Sequence, residues 1–285
     1  MTAPANCPTC DLAREPLGRS VQGHEMFRCP SCLLQWWDFG DVDAFDIYDD
    51  EYFRGGGEAG YDDYYAMRPS IERTAEMRLS HIKKYLGLTG GKMLDAGCGP
   101  GFFVSVAREQ GWDASGIEIS EAAANYARAE LGLNVRAALL QGSEVPAGEF
   151  DLITLWDVIE HVPDPLDAVS AAAHGLKPGG GFVMTTGDVE SVVARLSKER
   201  WHLYSFPEHL FFHTEKSLRG LCERSGLEVR AVRREPLFIS AGYAVERLAK
   251  TLFRTELRPG RNPLSKLMIP ANLGDVLTVY AQKSN

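Results

Sequence analysis

Little in this sequence favours a polyanionic partner. Thirty basic residues stand against 39 acidic ones, a net charge of −9, so the field of the whole molecule repels nucleic acid. No stretch approaches the roughly 18 uninterrupted apolar residues that a membrane-crossing helix needs. The opening residues MTAPANCPTC lack the basic and then apolar pattern of a secretory leader. A cytoplasmic protein with neither a nucleic-acid nor a membrane partner is therefore expected. Internal repeats and low-complexity tracts are missing too, which sets aside solenoids and fibres. What is present suits a globular core: 285 residues, 45% of them apolar and 10% aromatic.

Cysteine is scarce but unevenly spread. Four of the six, Cys7, Cys10, Cys29 and Cys32, form CPTC and CPSC, two C-x-x-C pairs separated by 18 residues. That spacing lets two turns offer four thiolates to one tetrahedral zinc. A cytosolic chain seldom keeps a disulfide framework, and the strand and helix pattern around a redox dithiol is missing. A closed, structural Zn2+ site is expected, since a segment of this length buries too little apolar surface to fold unaided. The chain divides into a zinc-binding module over 1–40, a linker, lid and leading helix over 41–90, and a main domain over 91–285.

Within the linker, the aspartates, aromatics and Gly55 to Gly57 give way to an amphipathic helix. Ile71, Ala75, Leu79, Ile82 and Leu86 recur at helical spacing, with Ser70 as the expected N-cap and Gly87 as the stop. From Lys92 the chain alternates short apolar runs (KMLDAG, DASGIEI, NVRAALL, FDLITLWDV, GGFVMTT) with helical patterns after Gly101, Ser120, Pro165 and Thr214. Such alternation predicts an α/β fold, a parallel sheet with helices on both faces. LEVRAVRRE and VLTVYAQK add two last strands, separated by an insertion over 240–275.

The stretch Asp95 to Gly101 reads D-x-G-x-G-x-G and follows the first of these strands. It has neither the G-x-G-x-x-G spacing of dinucleotide sites nor a following G-K-[ST], so the ligand need not carry phosphate. Some twenty residues on, Glu118 ends the second strand, placed to accept hydrogen bonds from two ribose hydroxyls. An adenosine compound without phosphate fits the pair; a ligand-free tight turn and a solvated strand end are the plain alternatives.

These residues resemble the class I methyltransferases that use S-adenosylmethionine. LDAGCGPG is similar to their first motif, GIEIS to their acidic ribose-binding position, FDLITLWDVIEHVPDP to their fourth strand and loop, and LKPGGGFVM to the turn into their fifth strand. The resemblance implies a Rossmann-like seven-stranded sheet behind the N-terminal zinc-ribbon module. It implies cofactor contacts at Asp95, Gly97, Cys98, Gly99, Gly101, Glu118, Ile119, Leu140 and Trp156, with the adenine loosely assigned to Leu140 and Gln141. A narrower likeness, resting on the cysteine module, the tyrosine-rich GYDDYYAM and a Glu-His pair, is to zinc-containing deoxysugar C-methyltransferases. It implies a lid from Tyr61, Tyr64 or Tyr65, although aromatic packing explains those tyrosines equally well. It also gives Glu208 a substrate role and makes His209 the base.

Methyl transfer to a hydroxyl needs a group that takes a proton, and a histidine near neutral pKa suits that task. His161, just past the fourth strand, and His209 both qualify. Trp201, with Arg68, Arg195 and Arg200, lies where an anionic or planar acceptor would be recognised or where plain surface packing occurs. The expected function is methylation of a hydroxyl, or an activated carbon, of a small polar acceptor such as a sugar or specialised metabolite. Two rivals are an RNA methyltransferase, its zinc module touching phosphates through Arg14, Arg19 and Arg28, and a non-catalytic scaffold.

Overall fold

Alternate residues along a strand leave the sheet on opposite faces, so a sheet buried on both sides needs apolar residues at both parities. The computed structural model, which describes residues 3–20, 22–40, 53, 63–140, 144–242, 245 and 267–284, shows this. In chain order the elements are β1 (Glu15–Arg19), β2 (Glu25–Arg28), β3 (Gln35–Trp37), α1 (Arg68–Leu86), β4 (Gly91–Ala96), α2 (Phe102–Glu109), β5 (Trp112–Glu118), α3 (Glu121–Leu131), β6 (Val135–Ala137), β7 (Phe150–Trp156), α4 (Pro165–Gly175), β8 (Leu176–Gly187), α5 (Val192–Ser197), β9 (Phe211–Phe212), α6 (Glu215–Arg224), β10 (Leu227–Arg233), β11 (Leu237–Ser240), β12 (Met268–Ala271) and β13 (Val276–Lys283). Leu94, Ile153, Leu155, Phe182 and Met184 point to the face that α4 and α6 cover. Met93, Leu152 and Val183 point to the face that α1, α2 and α3 cover.

The main sheet has seven strands in the order β10-β13-β8-β7-β4-β5-β6. Strands β8, β7, β4, β5 and β6 run parallel, and β13 enters antiparallel between β8 and β10. From β4 the chain winds outward to β5 and β6, then returns to β7 and β8 on the other side. The resulting switch point at the carboxyl ends of β4, β5 and β7 is where open α/β sheets bind ligands.

Helix α1 starts earlier than expected. Pro69 in its first turn presets the backbone, so the helix begins at Arg68 and Ser70 is inside it; Gly87, left-handed at φ 72°, ends it as expected. Ser120 caps α3 by accepting the Ala123 N–H, and Thr214 forms a capping box with Ser217 on α6. Of NVRAALL only Val135 to Ala137 is strand, because Ala137 already lies at the end of β5's pairing edge.

The N-terminal strands do not form a separate unit. β1, β2 and β3 make an antiparallel meander, and β9 from the main chain adds a fourth strand beside β3. Trp36, Phe211 and Phe212 are buried in one cluster with the cysteines. The expected boundary at residue 40 therefore separates segments of sequence that share one core.

Candidate active site

The loop after β4 spends its own hydrogen-bond donors. The Gly97 and Cys98 N–H groups donate to the Ile117 carbonyl at 2.8 and 3.1 Å, and the Gly101 N–H donates to the Cys98 carbonyl at 3.0 Å. The Gly99 N–H donates to Glu118 Oε2 at 2.7 Å, while Glu118 Oε1 accepts from Ser120 N–H at 2.9 Å. With these amides occupied and a carboxylate facing the cavity, the loop does not cradle phosphate. Each Glu118 oxygen retains accepting capacity for a hydroxyl donor. Burial raises the pKa of Glu118 against these N–H bonds.

The three bare glycines turn out to have different reasons. A Cβ on Gly97 would fall 2.5 Å from Val158 Cγ2, and one on Gly101 2.5 Å from Leu133 Cδ1, so both make room for the protein itself. Only at Gly99 would a Cβ meet nothing closer than Phe53 and Tyr64, at 3.7 and 3.8 Å. All three have left-handed φ values of 54° to 85°.

The cavity at the switch point has a volume of about 390 Å3, within the range of small-ligand sites. Gly97, Gly99, Glu118, Ile119 and Leu140 line its β5–β6 flank, and Trp156 lies at the end of β7. Among the described residues the buried Trp156 Nε1–H has no acceptor. Arg78 of α1 stacks on the Trp156 ring at 4.1 Å and reaches Asp157 Oδ2 at 3.6 Å. An orphaned donor beside the glycine loop and a rigid carboxylate below it suit the amino-acid carboxylate and ribose of S-adenosylmethionine.

Several expected contacts fall elsewhere. Asp95 is buried behind the cavity, accepting from Thr154 Oγ1 at 2.7 Å, and burial pushes its pKa up to about 7. Cys98 packs its sulfur against β5, where a Cβ on Gly116 would lie 2.4 Å away, and burial raises its pKa. Tyr64 lines the cavity, whereas Tyr65 packs on Tyr126 at a centroid distance of 4.6 Å; Tyr61 and Gln141 are outside the described residues. Trp201 is buried, donating to Asp275 Oδ2 at 2.9 Å, a packing role and not a recognition one. Arg68 and Arg195 pair with Glu72 and Glu190.

On the β7–β8 flank the chain leaves β7 through Asp157, which has φ 57° and is held by the Thr185 hydroxyl. That turn carries Glu160 and His161 into the cavity. The Leu210 and Phe211 N–H groups donate to the Glu160 carbonyl, and His161 Nδ1 meets the Glu208 carbonyl at 2.8 Å. These bonds strap the second histidine segment alongside. His209 Nδ1 meets the Leu203 carbonyl at 2.8 Å, and the rings of His161 and His209 lie 4.7 Å apart. Each Nδ1–H donates to a carbonyl, which fixes the ring's orientation. Burial, with His209 beside it, pushes His161 down to about 3, and burial also lowers His209.

Glu208 corrects the sequence reading. Its backbone orients His161, but its carboxylate accepts from Ser205 Oγ at 3.1 Å and does not line the cavity. The carboxyl beside the histidines is Glu160, which burial, aided by Asp157, pushes up to about 8. The signal for it was in the sequence, since Glu160 directly precedes His161. Arg78 had no such signal, because its position on the α1 face reads as a helix residue like any other.

At the N-terminus the two cysteine pairs fold as near copies. Asp11 and Leu33, each one residue past a pair, have φ of 56° and 62°. Cys7 N–H donates to Leu12 O as Cys29 N–H does to Leu34 O, and the Cys29 sulfur accepts the Ser31 and Cys32 N–H groups. One sulfur from each of the four lies within 4.8 Å of the others. His24 is not among them; it stacks on Trp37 and Phe206.

The family described as "Methyltransferase domain" matches residues 66–232, more than half of the chain. The protein belongs to this methyltransferase family. It is an S-adenosylmethionine-dependent enzyme, as the glycine loop and Glu118 imply. Its relatives include the ubiquinone biosynthesis O-methyltransferases of Thiobacillus denitrificans, 38% identical over 39% of this chain and 50% of the relative, and of Aromatoleum aromaticum, 37% identical over 53% and 70%. The methyltransferase thus spans about half the length of the first of these. Its fold is shared with the magnesium protoporphyrin IX methyltransferase of Synechocystis, solved with bound S-adenosylhomocysteine, at a TM-score of 0.52 and 14% identity over 84% of this chain and 94% of that one. Among the described residues no helix is long and apolar enough to cross a membrane.

Proposed function

We propose that the enzyme methylates a hydroxyl oxygen of a small acceptor. The observation that carries this reading is that Glu160, His161 and His209 cluster in the same cavity as Glu118 and Trp156. When bound, S-adenosylmethionine supplies a methyl group already activated on a sulfonium. Glu118 would hold its ribose and Trp156 Nε1–H its carboxylate. His161 and His209 lie where the acceptor's oxygen would meet the cluster, and Leu203, Leu237 and Val276 add apolar lining to the cavity. The O-methyltransferase names of the relatives support an oxygen acceptor. The test is a screen of hydroxylated aromatics, sugars and hydroxyacids for S-adenosylhomocysteine release, with the product's methyl located by NMR. A methoxy product is expected; a new carbon–methyl bond would reject oxygen as the acceptor.

The paired knuckles support one structural Zn2+ on Cys7, Cys10, Cys29 and Cys32. Zinc–sulfur bonds of about 2.3 Å place tetrahedral sulfurs about 3.8 Å apart, close to the 3.5 Å between Cys7 and Cys32. Metal analysis of the purified chain should find one equivalent of zinc that Cys29→Ser loses.

A further inference from the structure

The same three side chains that face the acceptor have the make-up of a metal site. One ligand atom each from Glu160, His161 and His209 lies within 4.8 Å of the other two. Glu160 is 4% exposed, and its Oε2 is buried without a hydrogen-bond partner among the described residues while the residue lines the cavity. His209 gives Nδ1 to a carbonyl, the outer-shell bond that fixes a metal-binding imidazole with Nε2 turned inward. His161 is oriented in the same way, through Nδ1, by the Glu208 carbonyl. Both supporting carbonyls belong to the segment strapped to the Glu160 backbone, so the three donors are held by one framework.

We propose that Glu160, His161 and His209 bind one first-row divalent cation, which in turn binds the acceptor through its oxygen. The inference rests on the proposed O-methylation. Two imidazoles and one carboxylate suit Mn2+, Fe2+, Co2+ or Zn2+ better than the all-oxygen preferences of Ca2+ and Mg2+. Three protein ligands leave neighbouring positions open, which favours an acceptor carrying two adjacent oxygens, such as a catechol or an α-hydroxyacid. The cation acidifies the bound hydroxyl, whose proton passes to solvent. The oxygen lone pair then forms the new O–C bond as the C–S bond of the bound donor breaks, its electron pair returning to sulfur. Products are the methyl ether, S-adenosylhomocysteine and one proton, with no change of oxidation state at the metal.

The test uses the full chain with its cysteine module loaded with zinc, because the hard Mn2+ ion does not displace zinc from thiolates. Mn2+ is titrated while the electron paramagnetic resonance signal of the free ion is followed. One Mn2+ per chain is expected, with nitrogen modulation from imidazole in the echo spectrum of the bound ion. Its affinity should fall at least about 100-fold in Glu160→Gln and His209→Ala, with S-adenosylhomocysteine affinity retained. Absence of binding by the native chain, bound Mn2+ without imidazole nitrogen, or undiminished affinity in both variants would each overturn the site. The echo spectrum needs no variant, so a variant that misfolds does not shield the proposal. Failure of the native chain to bind S-adenosylhomocysteine would instead overturn the proposed function, whatever the Mn2+ count.

Discussion

At the scale of single residues, buried charge sets measurable costs. Asp95 pairs in register with Thr154 across β4 and β7, and the charge of Arg78 offsets part of the effect of its burial. With its pKa raised from 3.8 to about 7, the folded chain keeps a proton that the unfolded chain loses between those values. Stability therefore falls as pH rises through that window. Asp95→Asn removes the titration but keeps an acceptor for Thr154. The variant's advantage in denaturant unfolding should widen from pH 5 to pH 7 by about 1 kcal/mol per unit, and a gap that stays constant with pH would contradict the assignment. Trp156 makes the opposite prediction, about a ligand. Trp156→Phe deletes the orphaned N–H and should weaken S-adenosylhomocysteine about 10-fold in calorimetry. Methylthioadenosine, which lacks the amino-acid end, should bind as before; equal losses for both ligands would remove Trp156 from that role. Glu118 was legible because its distance from the glycines is fixed by one βαβ unit. The placement of Glu160 over Glu208 was not, because it depends on which side chain turns inward from two strapped loops.

At the scale of elements, the glycine loop shows why a motif is easier to find than to explain. Its three glycines read alike in sequence, yet Gly97 and Gly101 answer to Val158 and Leu133, residues distant in sequence that only the folded sheet brings near. Helices were legible through their periodicity and caps, and β6 was overextended because its partner edge ends. The glycines yield a paired prediction. Gly101→Ala drives a Cβ into Leu133 in a left-handed backbone and should cost about 2–3 kcal/mol in unfolding with little change in cofactor affinity per folded molecule. Gly99→Ala meets only ordinary contacts, so its stability loss should stay near about 1 kcal/mol while S-adenosylhomocysteine binding weakens. Reversal of that order would mean the cavity lies on another side of the loop.

At the scale of the whole molecule, the cysteine module and the segment that carries His209 form one mechanical unit. The Trp37 Nε1–H, in β3, donates to the His209 carbonyl at 2.9 Å, and Thr214 Oγ1 donates to the Cys32 carbonyl at 2.7 Å. Strand β9 pairs with β3 two residues after His209. Glu118 and the glycine loop, by contrast, are held by β4 and β5, which among the described residues make no strand pairing with the module. If the four cysteines hold the proposed zinc, its loss should therefore misplace His209 and leave the Glu118 contacts standing. Stripping the proposed zinc with a mercurial reagent, or substituting Trp37→Phe, should lower kcat at least about 10-fold while S-adenosylhomocysteine affinity changes less than about threefold. The milder variant separates position from unfolding, since it removes one hydrogen bond and leaves a smaller aromatic ring facing Phe206 and Phe39. Equal loss of turnover and cofactor binding would mean that the module supports the fold as a whole and does not aim the histidine.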